Sequence, residues 1–261
     1  MTDWKKHLEH GWNALKNKEF QSASTHFMAA YIQNPDHPLA CYAYGRELAR
    51  SGQFAEAEPI LKKAWDTSDN LVQAACEWAR VKARITSDIS SIFEFLNNLE
   101  TEFNDSVIIP LTRIELLLQQ GRVNEAEEDY TKALNNNADP QKLQIARAKI
   151  EQLKGLKQVK EQNFAKAKQH FQKALELDQN WAGPVVNLGA VYEKENNIKE
   201  AEKLYLQALD IEKNHPVALY NLAKLLFEQK KTVEAAGYVK NLLLHHIDYP
   251  GSGELATRIL E

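Results

Sequence analysis

Small and aromatic residues recur along the chain at a fixed spacing. The same series opens the sequence and returns near its end: Gly11, Ala23, Phe27 and Ala30, then Gly189, Ala201, Tyr205 and Ala208. Apolar positions three and four residues apart are typical of amphipathic α-helices. Because the series repeats at a period of about 34 residues, it predicts a stack of helix pairs rather than one compact core.

The residue types in each copy explain how the predicted helices pack. Two antiparallel helices approach closely where one presents Gly or Ala and the other a large residue one turn away. Between the two halves of a copy stand Gly52, Gly121 or the pair Asn196-Asn197, which tolerate the backbone conformation that ends a helix. Each copy is therefore expected to form helix, turn and helix.

This arrangement resembles the tetratricopeptide repeat family. The copies that carry the resemblance are WAGPVVNLGAVYEKENNIKEAEKLYLQALDIEKNH at 181–215, CYAYGRELARSGQFAEAEPILKKA at 41–64 and NFAKAKQHFQKALELDQN at 163–180. Seven copies are expected, near 4–37, 38–71, 72–106, 107–140, 148–181, 182–215 and 216–249. The resemblance implies an all-α, right-handed superhelical solenoid of antiparallel helix pairs.

Two irregularities interrupt the period. The copy at 72–106 is degenerate, since it places Ser91, Phe95 and Asn98 where the small, aromatic and small residues are expected. We expect its second helix to be displaced. Residues 141–147 are additional and are expected to lengthen a first helix, which would run from about Pro140 to Gln162.

The additional residues 141–147 suggest how the chain is divided. We expect an N-terminal array at 1–140 and a C-terminal array at 141–261. After the breaker Tyr249-Pro250-Gly251, residues 254–260 form a short amphipathic pattern. A solenoid must cover its last apolar face, so this segment is expected to be a capping helix.

Composition narrows the class of partner. The formal net charge of -4 lacks the basic excess typical of nucleic-acid binders, so no nucleic acid is expected. No apolar run approaches the roughly 20 residues that span a bilayer. Membrane insertion is therefore not expected, and a cytoplasmic location is the prediction; an exported protein is the alternative if a targeting segment has been removed.

In the family, the first helix of each pair lines the concave groove, and this implies two candidate surfaces. The first is the arginine patch, formed by Tyr42, Arg46, Arg50, Arg80 and Arg84. Arginines four residues apart share a helix face, and guanidinium groups pair with carboxylates. The patch therefore predicts an acidic peptide or protein ligand. Alternatively, it is a solvated face that Glu47 and Glu77 partly neutralise.

The second surface is the asparagine patch, formed by Asn187, Lys194, Tyr220, Asn221 and Lys224. Asn offers both a donor and an acceptor, so a row of asparagines can pair with the main chain of an extended peptide. The resemblance supports this role, because similar asparagines contact peptide backbones in the family. Asn at this position without any ligand is the alternative.

Sequence motifs for chemistry are lacking. His7 with His10, and His245-His246 near Asp248, do not have the spacing of a recognised zinc site. No Gly-rich phosphate loop or nucleophile elbow occurs. We therefore expect no cofactor, no metal and no enzymatic activity.

The leading hypothesis is a noncatalytic scaffold or adaptor that binds an extended peptide or a helix of a partner in its groove. A self-assembling structural scaffold is the first alternative, since residues 85–140 hold eleven acidic and three basic residues, whereas 141–181 hold nine basic and four acidic. Such asymmetry can join copies of the chain into a homo-oligomer. The second alternative is a recognition subunit of a separately encoded enzyme.

Overall fold

A computed structural model describes residues 3–136 and 138–260, apart from the side chain of Lys142. This part of the chain contains fifteen α-helices and no strand. It divides into two compact units, Met1–Ala138 and Asp139–Glu261, called unit 1 and unit 2 below. The predicted all-α solenoid class is confirmed.

Helix pairs follow the predicted copies. Unit 1 contains α1 (Asp3–Lys16), α2 (Phe20–Gln33), α3 (Pro38–Arg50), α4 (Phe54–Asp66), α5 (Val72–Ile85), α6 (Ile89–Glu102), α7 (Ile108–Gln119) and α8 (Val123–Asn135). Unit 2 contains α9 (Pro140–Lys160), α10 (Phe164–Leu177), α11 (Ala182–Lys194), α12 (Ile198–Ile211), α13 (Pro216–Glu228), α14 (Thr232–His245) and α15 (Ser252–Leu260). The short turns within each pair make its two helices antiparallel.

Glycines in the first helices explain the close contact within pairs. A Cβ atom added to Gly155 would lie 2.5 Å from Cε1 of Phe171, and one added to Gly189 would lie 2.7 Å from Cε1 of Tyr205. Both rings are fully buried. The helices are therefore packed so closely that these first-helix positions have no room for even a methyl group.

Left-handed residues form the turns within six of the seven pairs. Gly52 and Gly121 have φ of 81° and 71°, and Asn196 has φ of 61°, as the turn residues predicted. Lys18, Gln162 and Lys230 take the same conformation with φ between 59° and 64°. Side chains with a Cβ atom are strained there, so these three turns cost some stability.

The third pair departs from the others, as its sequence indicates, but not at the predicted residues. Ser91 and Asn98 are exposed, whereas Ile92, Leu96 and Leu99 are buried in the core between α5, α6 and α7. The predicted alignment was wrong by one residue along α6. Because large side chains replace the small ones, α5 and α6 approach each other less closely than the helices of any other pair.

A buried ion-pair cluster lies beside this irregular pair. Arg113 of α7 is 6% exposed. Its Nε is 2.5 Å from Oδ2 of Asp129 in α8, and its Nη1 is 2.6 Å from Oε2 of Glu100 in α6. A buried guanidinium needs such partners to offset its lost hydration. This cluster joins α7 and α8 to α6, the helix that lacks the small residues of the other pairs.

The predicted long helix is confirmed in α9, whose 21 residues end at Lys160. The Asp139 carboxylate accepts a hydrogen bond from the backbone N–H of Gln141 at 2.9 Å, and Pro140 takes the first turn, where a missing N–H does not matter. The additional residues thus extend the helix before the Gly155 contact.

The C-terminal segment forms the predicted cap. Helix α15 begins at Ser252 and buries Leu255, Ala256 and Ile259 in the core that α13 and α14 share. An apolar face at the end of a repeat array must be covered in this way.

Cys41 and Cys76 are buried free thiols, and burial raises the pKa of each. Both pack in the core of unit 1, and the Cys41 thiol donates to the backbone carbonyl of Pro35 at 3.1 Å. None of the helices in the described residues is long and apolar enough to cross a membrane.

Candidate functional site

The structure brings the four arginines of the arginine patch together. Arg46 and Arg50 on α3 line the same cavity of about 480 Å³ as Arg80 and Arg84 on α5. This cavity, called the unit 1 groove, also has apolar lining from α1, α2, α4 and α5: Leu15, Phe20, Phe54 and Val81. The spacing of four residues on each helix and the repeat of 34 residues between helices produce this grouping.

Two of the four arginines are already paired with carboxylates. The Nη2 atom of Arg50 lies 2.7 Å from Oε2 of Glu47. Arg80 lies 3.1 Å from Glu77 and 2.9 Å from Glu115 of α7. Burial opposes the charge of Arg80, but the two carboxylates outweigh it and raise the pKa of the guanidinium. The charges of these two arginines are therefore partly neutralised inside the groove, as the alternative interpretation expects.

Arg46 and Arg84 are different. Within residues 3–136 and 138–260 neither forms an ion pair. The guanidinium carbon of Arg46 lies 4.9 Å from the ring centre of Trp12, and that of Arg84 lies 5.9 Å from Phe54. An aromatic face attracts a cation but does not neutralise it, so the cation can still pair with an anion. These two arginines are therefore oriented and available to an anion.

Tyr42 and Phe20 complete the aromatic surroundings of the arginines. Tyr42 is half-buried and lies 5.8 Å from the guanidinium of Arg46, while Phe20 lies 4.5 Å from that of Arg50. The sequence pattern did not predict that Phe20 and Phe54 lie beside arginines. A signal existed, because Phe20 precedes Arg50 by the same 30 residues as Phe54 precedes Arg84.

One carboxylate oxygen beside the unit 1 groove has no partner among the described residues. Glu47 is 4% exposed. Its Oε2 accepts from Arg50 at 2.7 Å, whereas its Oε1 is buried from solvent and has no hydrogen-bond partner in the described part of the chain. Leaving such an acceptor unsatisfied costs about 1–3 kcal/mol. The groups that the groove can offer to an anion are therefore Arg46 and Arg84.

The asparagine patch lies in unit 2, where its members have separate surroundings. The buried Tyr205 hydroxyl donates to Oε2 of Glu193 at 2.7 Å, and Lys224 donates to Oε1 of the same carboxylate at 2.7 Å. Asn221 lies beside the Tyr205 hydroxyl, where it favours the ionised form of the tyrosine and so lowers its pKa. We call these four side chains the Tyr205 network. Burial, followed by the Glu193 carboxylate, raises the pKa of Tyr205 strongly.

The other three members of the asparagine patch lie outside this network. In the described part of the chain, neither the half-buried Asn187 nor the exposed Lys194 has a hydrogen-bond or ion-pair partner. The Tyr220 ring lies 5.4 Å from that of Tyr249, beside the connection to α15. Asn187 therefore keeps its amide available, whereas Lys224 is bonded to Glu193 and Asn221 lies beside the Tyr205 hydroxyl.

Histidines cluster on the first pair more than the sequence indicated. Nδ1 of His26 on α2 lies 3.1 Å from Nδ1 of His7, and the ring of His26 also contacts that of His10. In unit 2, Nε2 of His246 donates a hydrogen bond to the backbone carbonyl of Asn214 at 2.6 Å. Among the side chains that the structure describes, no group of three or more His, Cys, Asp or Glu is arranged to hold a metal ion.

Comparisons with known sequences agree with the fold. Sequence models of the tetratricopeptide repeat match residues 8–80, 152–180 and 194–248. These segments together make up more than half of the chain. A search of curated proteins gave no sequence match.

Solved structures of the same fold cover nearly the whole chain. A tetratricopeptide repeat protein from Parabacteroides merdae matches with a TM-score of 0.64 and 16% identity over 99% of both chains. A chain of the Cut9-Hcn1 hetero-tetramer of APC/C matches with a TM-score of 0.65 and 16% identity, over 99% of this chain and 46% of that one. Human IFIT1, solved as a dimer with m7Gppp-AAAA, matches with a TM-score of 0.71 and 15% identity, over 98% of this chain and 62% of that one. The chain thus spans less than two thirds of the last two proteins.

Proposed function

Because the chain belongs to the tetratricopeptide repeat family, we propose that it is a noncatalytic scaffold or adaptor whose unit 1 groove binds an extended, acidic segment of a partner protein. The observation that carries the proposal is the pair Arg46 and Arg84. Both guanidinium groups are positioned by aromatic rings, and neither has an ion-pair partner among the described residues.

The charges of the unit 1 groove favour a peptide over a nucleic acid. Four arginines and three glutamates line it: Glu47, Glu77 and Glu115. A nucleic-acid strand carries a phosphate at every nucleotide and would meet these carboxylates at close range. A peptide can place separate carboxylates beside Arg46 and Arg84 and apolar or amide groups between them. Guanidinium groups suit such carboxylates because they can donate two parallel hydrogen bonds.

The structural neighbours support protein binding only at the level of the fold. Cut9 was solved in a hetero-tetramer with Hcn1, and IFIT1 with a capped RNA. Identities of 15–16% transfer neither ligand to this chain. The self-assembling scaffold, the enzyme recognition subunit and the cytoplasmic location stay predictions.

The test uses an array of heptapeptides with uncharged, blocked ends. Each peptide is composed of Leu, Ser and Gly and contains between zero and three Glu residues. The tightest-binding member is then measured by fluorescence anisotropy against the full chain. We expect Arg46→Glu with Arg84→Glu to weaken its binding about 10-fold or more, because two ion pairs become repulsive contacts. Raised salt should weaken wild-type binding as well.

The matched control carries the same change in charge outside the groove. Lys173→Glu with Lys199→Glu alters two exposed lysines of unit 2 and should leave the affinity unchanged. Equal losses in both variants, or preference for a heptanucleotide over every acidic peptide, would show that the groove does not bind an acidic peptide.

A further inference from the structure

We infer that the acidic segment bound in the unit 1 groove also carries a large apolar residue, and that this side chain packs against Phe20. The inference rests on the proposed function and narrows the partner to an acidic segment with an apolar anchor residue. It is carried by an exposed aromatic ring that lines the same cavity as Arg46 and Arg84.

Phe20 is unusually exposed for a large apolar side chain in a groove. The residue begins α2 and is 51% exposed. The guanidinium carbon of Arg50 lies 4.5 Å from the centre of its ring, and Arg50 is itself held by Glu47 at 2.7 Å. Arg50 therefore covers only part of the ring. The rest is apolar surface in contact with water, and its removal from water by a ligand is favourable.

The equivalent residue of the next pair shows why Phe20 is exposed. Phe54 is partly buried, because it packs against a core cluster that contains Val81. One repeat earlier, the residue equivalent to Val81 is Glu47. Phe20 therefore lacks the apolar neighbour that this position gives Phe54. The equivalent residues of unit 2 are also partly buried against its core: Phe164 and Ile198.

The surroundings of Phe20 determine which ligand can cover it. The half-buried Leu15 and Phe54 line the same cavity of about 480 Å³, a volume within the range of ligand pockets. A purely acidic segment could pair with Arg46 and Arg84, but it would leave this apolar surface in water. A purely apolar segment would leave the two guanidinium groups without an anion. A segment that combines acidic residues with a large apolar residue satisfies both.

The first experiment is a positional scan of the heptapeptide selected on the array. Each uncharged position is changed in turn to Gly, Leu or Phe, while the glutamates and the blocked ends are kept, so that the net charge is constant. In the wild-type chain we expect one position at which Leu or Phe binds about 10-fold more tightly than Gly, which is the lower limit for burying such a side chain fully. The remaining positions should change the affinity much less.

The second experiment pairs this scan with Phe20→Ala. We expect the preference for Leu over Gly at the sensitive position to fall from about 10-fold to about 2-fold, because the contact surface is gone. Phe20→Leu should keep part of the preference. The matched control is Ile32→Ala, which removes another exposed apolar side chain of α2, 65% exposed, and should leave the preference unchanged. Circular dichroism and thermal unfolding check that each variant is folded.

The outcomes separate the two proposals. Equal binding of Gly, Leu and Phe at every uncharged position overturns the Phe20 inference even if Phe20→Ala fails to fold, and it leaves binding through Arg46 and Arg84 in place. A preference for Leu that persists in folded Phe20→Ala, or that Ile32→Ala reduces as much, also overturns the inference alone. If no acidic peptide on the array binds, the proposed function falls and the inference with it.

Discussion

Equivalent positions in the two units carry side chains that differ in whether they need a hydrogen-bond partner. Leu61 in α4 and Tyr205 in α12 each pack against a glycine of the preceding helix, Gly45 and Gly189. Leu61 brings no polar atom into the core. Tyr205 brings a hydroxyl, which donates to Glu193 at 2.7 Å. A single residue of the second helix therefore decides whether neighbouring polar side chains are needed inside the unit.

The consequence extends to the next helix. Lys224 of α13 reaches back to Glu193 on α11, whereas Arg80, at the equivalent position in α5, reaches forward to Glu115 on α7. In unit 2 the Tyr205 network includes two members of the asparagine patch. In unit 1 neither Arg46 nor Arg84 has an ion-pair partner among the described residues. Repeat position thus predicts where a side chain lies, but not whether it is available to a partner.

The largest effect should come from breaking the Tyr205 network. Glu193→Ala leaves the buried Tyr205 hydroxyl without an acceptor and Lys224 without its carboxylate, and should cost about 2–3 kcal/mol of unfolding free energy. Urea denaturation followed by circular dichroism measures it. In the Tyr205→Phe background the same change should cost clearly less, and an additive pair of losses would contradict the network.

A smaller difference should separate two arginines of the unit 1 groove. Arg80→Ala removes the partner of both Glu77 and Glu115 and should cost about 1–2 kcal/mol. Arg46→Ala loses its aromatic contacts and should cost about 0.5 kcal/mol. The same urea unfolding compares them. If both variants lose equal stability, the division into paired and unpaired arginines has no energetic basis.

Acid should weaken unit 1 through the histidines outside its groove. Burial, and then His10 and His7, lower the pKa of His26 below its ordinary value of about 6.5. The unfolded chain then binds more protons, so the stability from neutral His26 is present above pH 6.5 and is lost as the pH falls towards the folded pKa.

Thermal unfolding between pH 7 and pH 5 tests whether the stability falls as the pH is lowered. The wild-type melting temperature should fall with the pH, and His26→Gln should fall less because it lacks the titrating ring. An equal fall in both proteins would remove His26 as a cause.

Substitutions in the turns should have small effects of opposite sign in the two units. Lys230 has φ of 63°, and Lys230→Gly should stabilise unit 2 by about 0.5 kcal/mol because Gly adopts this conformation without strain. Gly52 has φ of 81° with open space around it, and Gly52→Ala should destabilise unit 1 by about 1 kcal/mol. Thermal unfolding measures both changes, and shifts in the same direction would contradict the shared turn geometry.

Much of the fold was predictable because local chemistry repeats. The spacing of Gly11 with Phe27 and of Gly189 with Tyr205 identified the helix pairs, and Asp139-Pro140 identified the start of α9. The degenerate third copy was also predicted. Its register was not, because Phe95 resembles the usual aromatic whereas Leu96, one residue later, makes the buried contact.

The candidate site was predictable in part. The helical period grouped the four arginines correctly, since residues four apart on a helix share a face. It did not indicate that Arg50 and Arg80 have ion-pair partners whereas Arg46 and Arg84 have none among the described residues. Nor did it show that Lys224 pairs with Glu193. Such contacts depend on side chains from other helices, whose distances and directions a linear pattern does not contain.

By itself the sequence determined the helix pairs, their order, the long α9 and the capping α15, because small, aromatic and turn residues act over a few positions along one chain. Tertiary structure alone decided which charged side chains are paired and which are not. It paired Arg80 with Glu115 across two helices, buried Glu47 with one free oxygen and left Arg46 on the face of Trp12. Hydrogen bonds and ion pairs act over a few ångströms, so only packing fixes which groups meet.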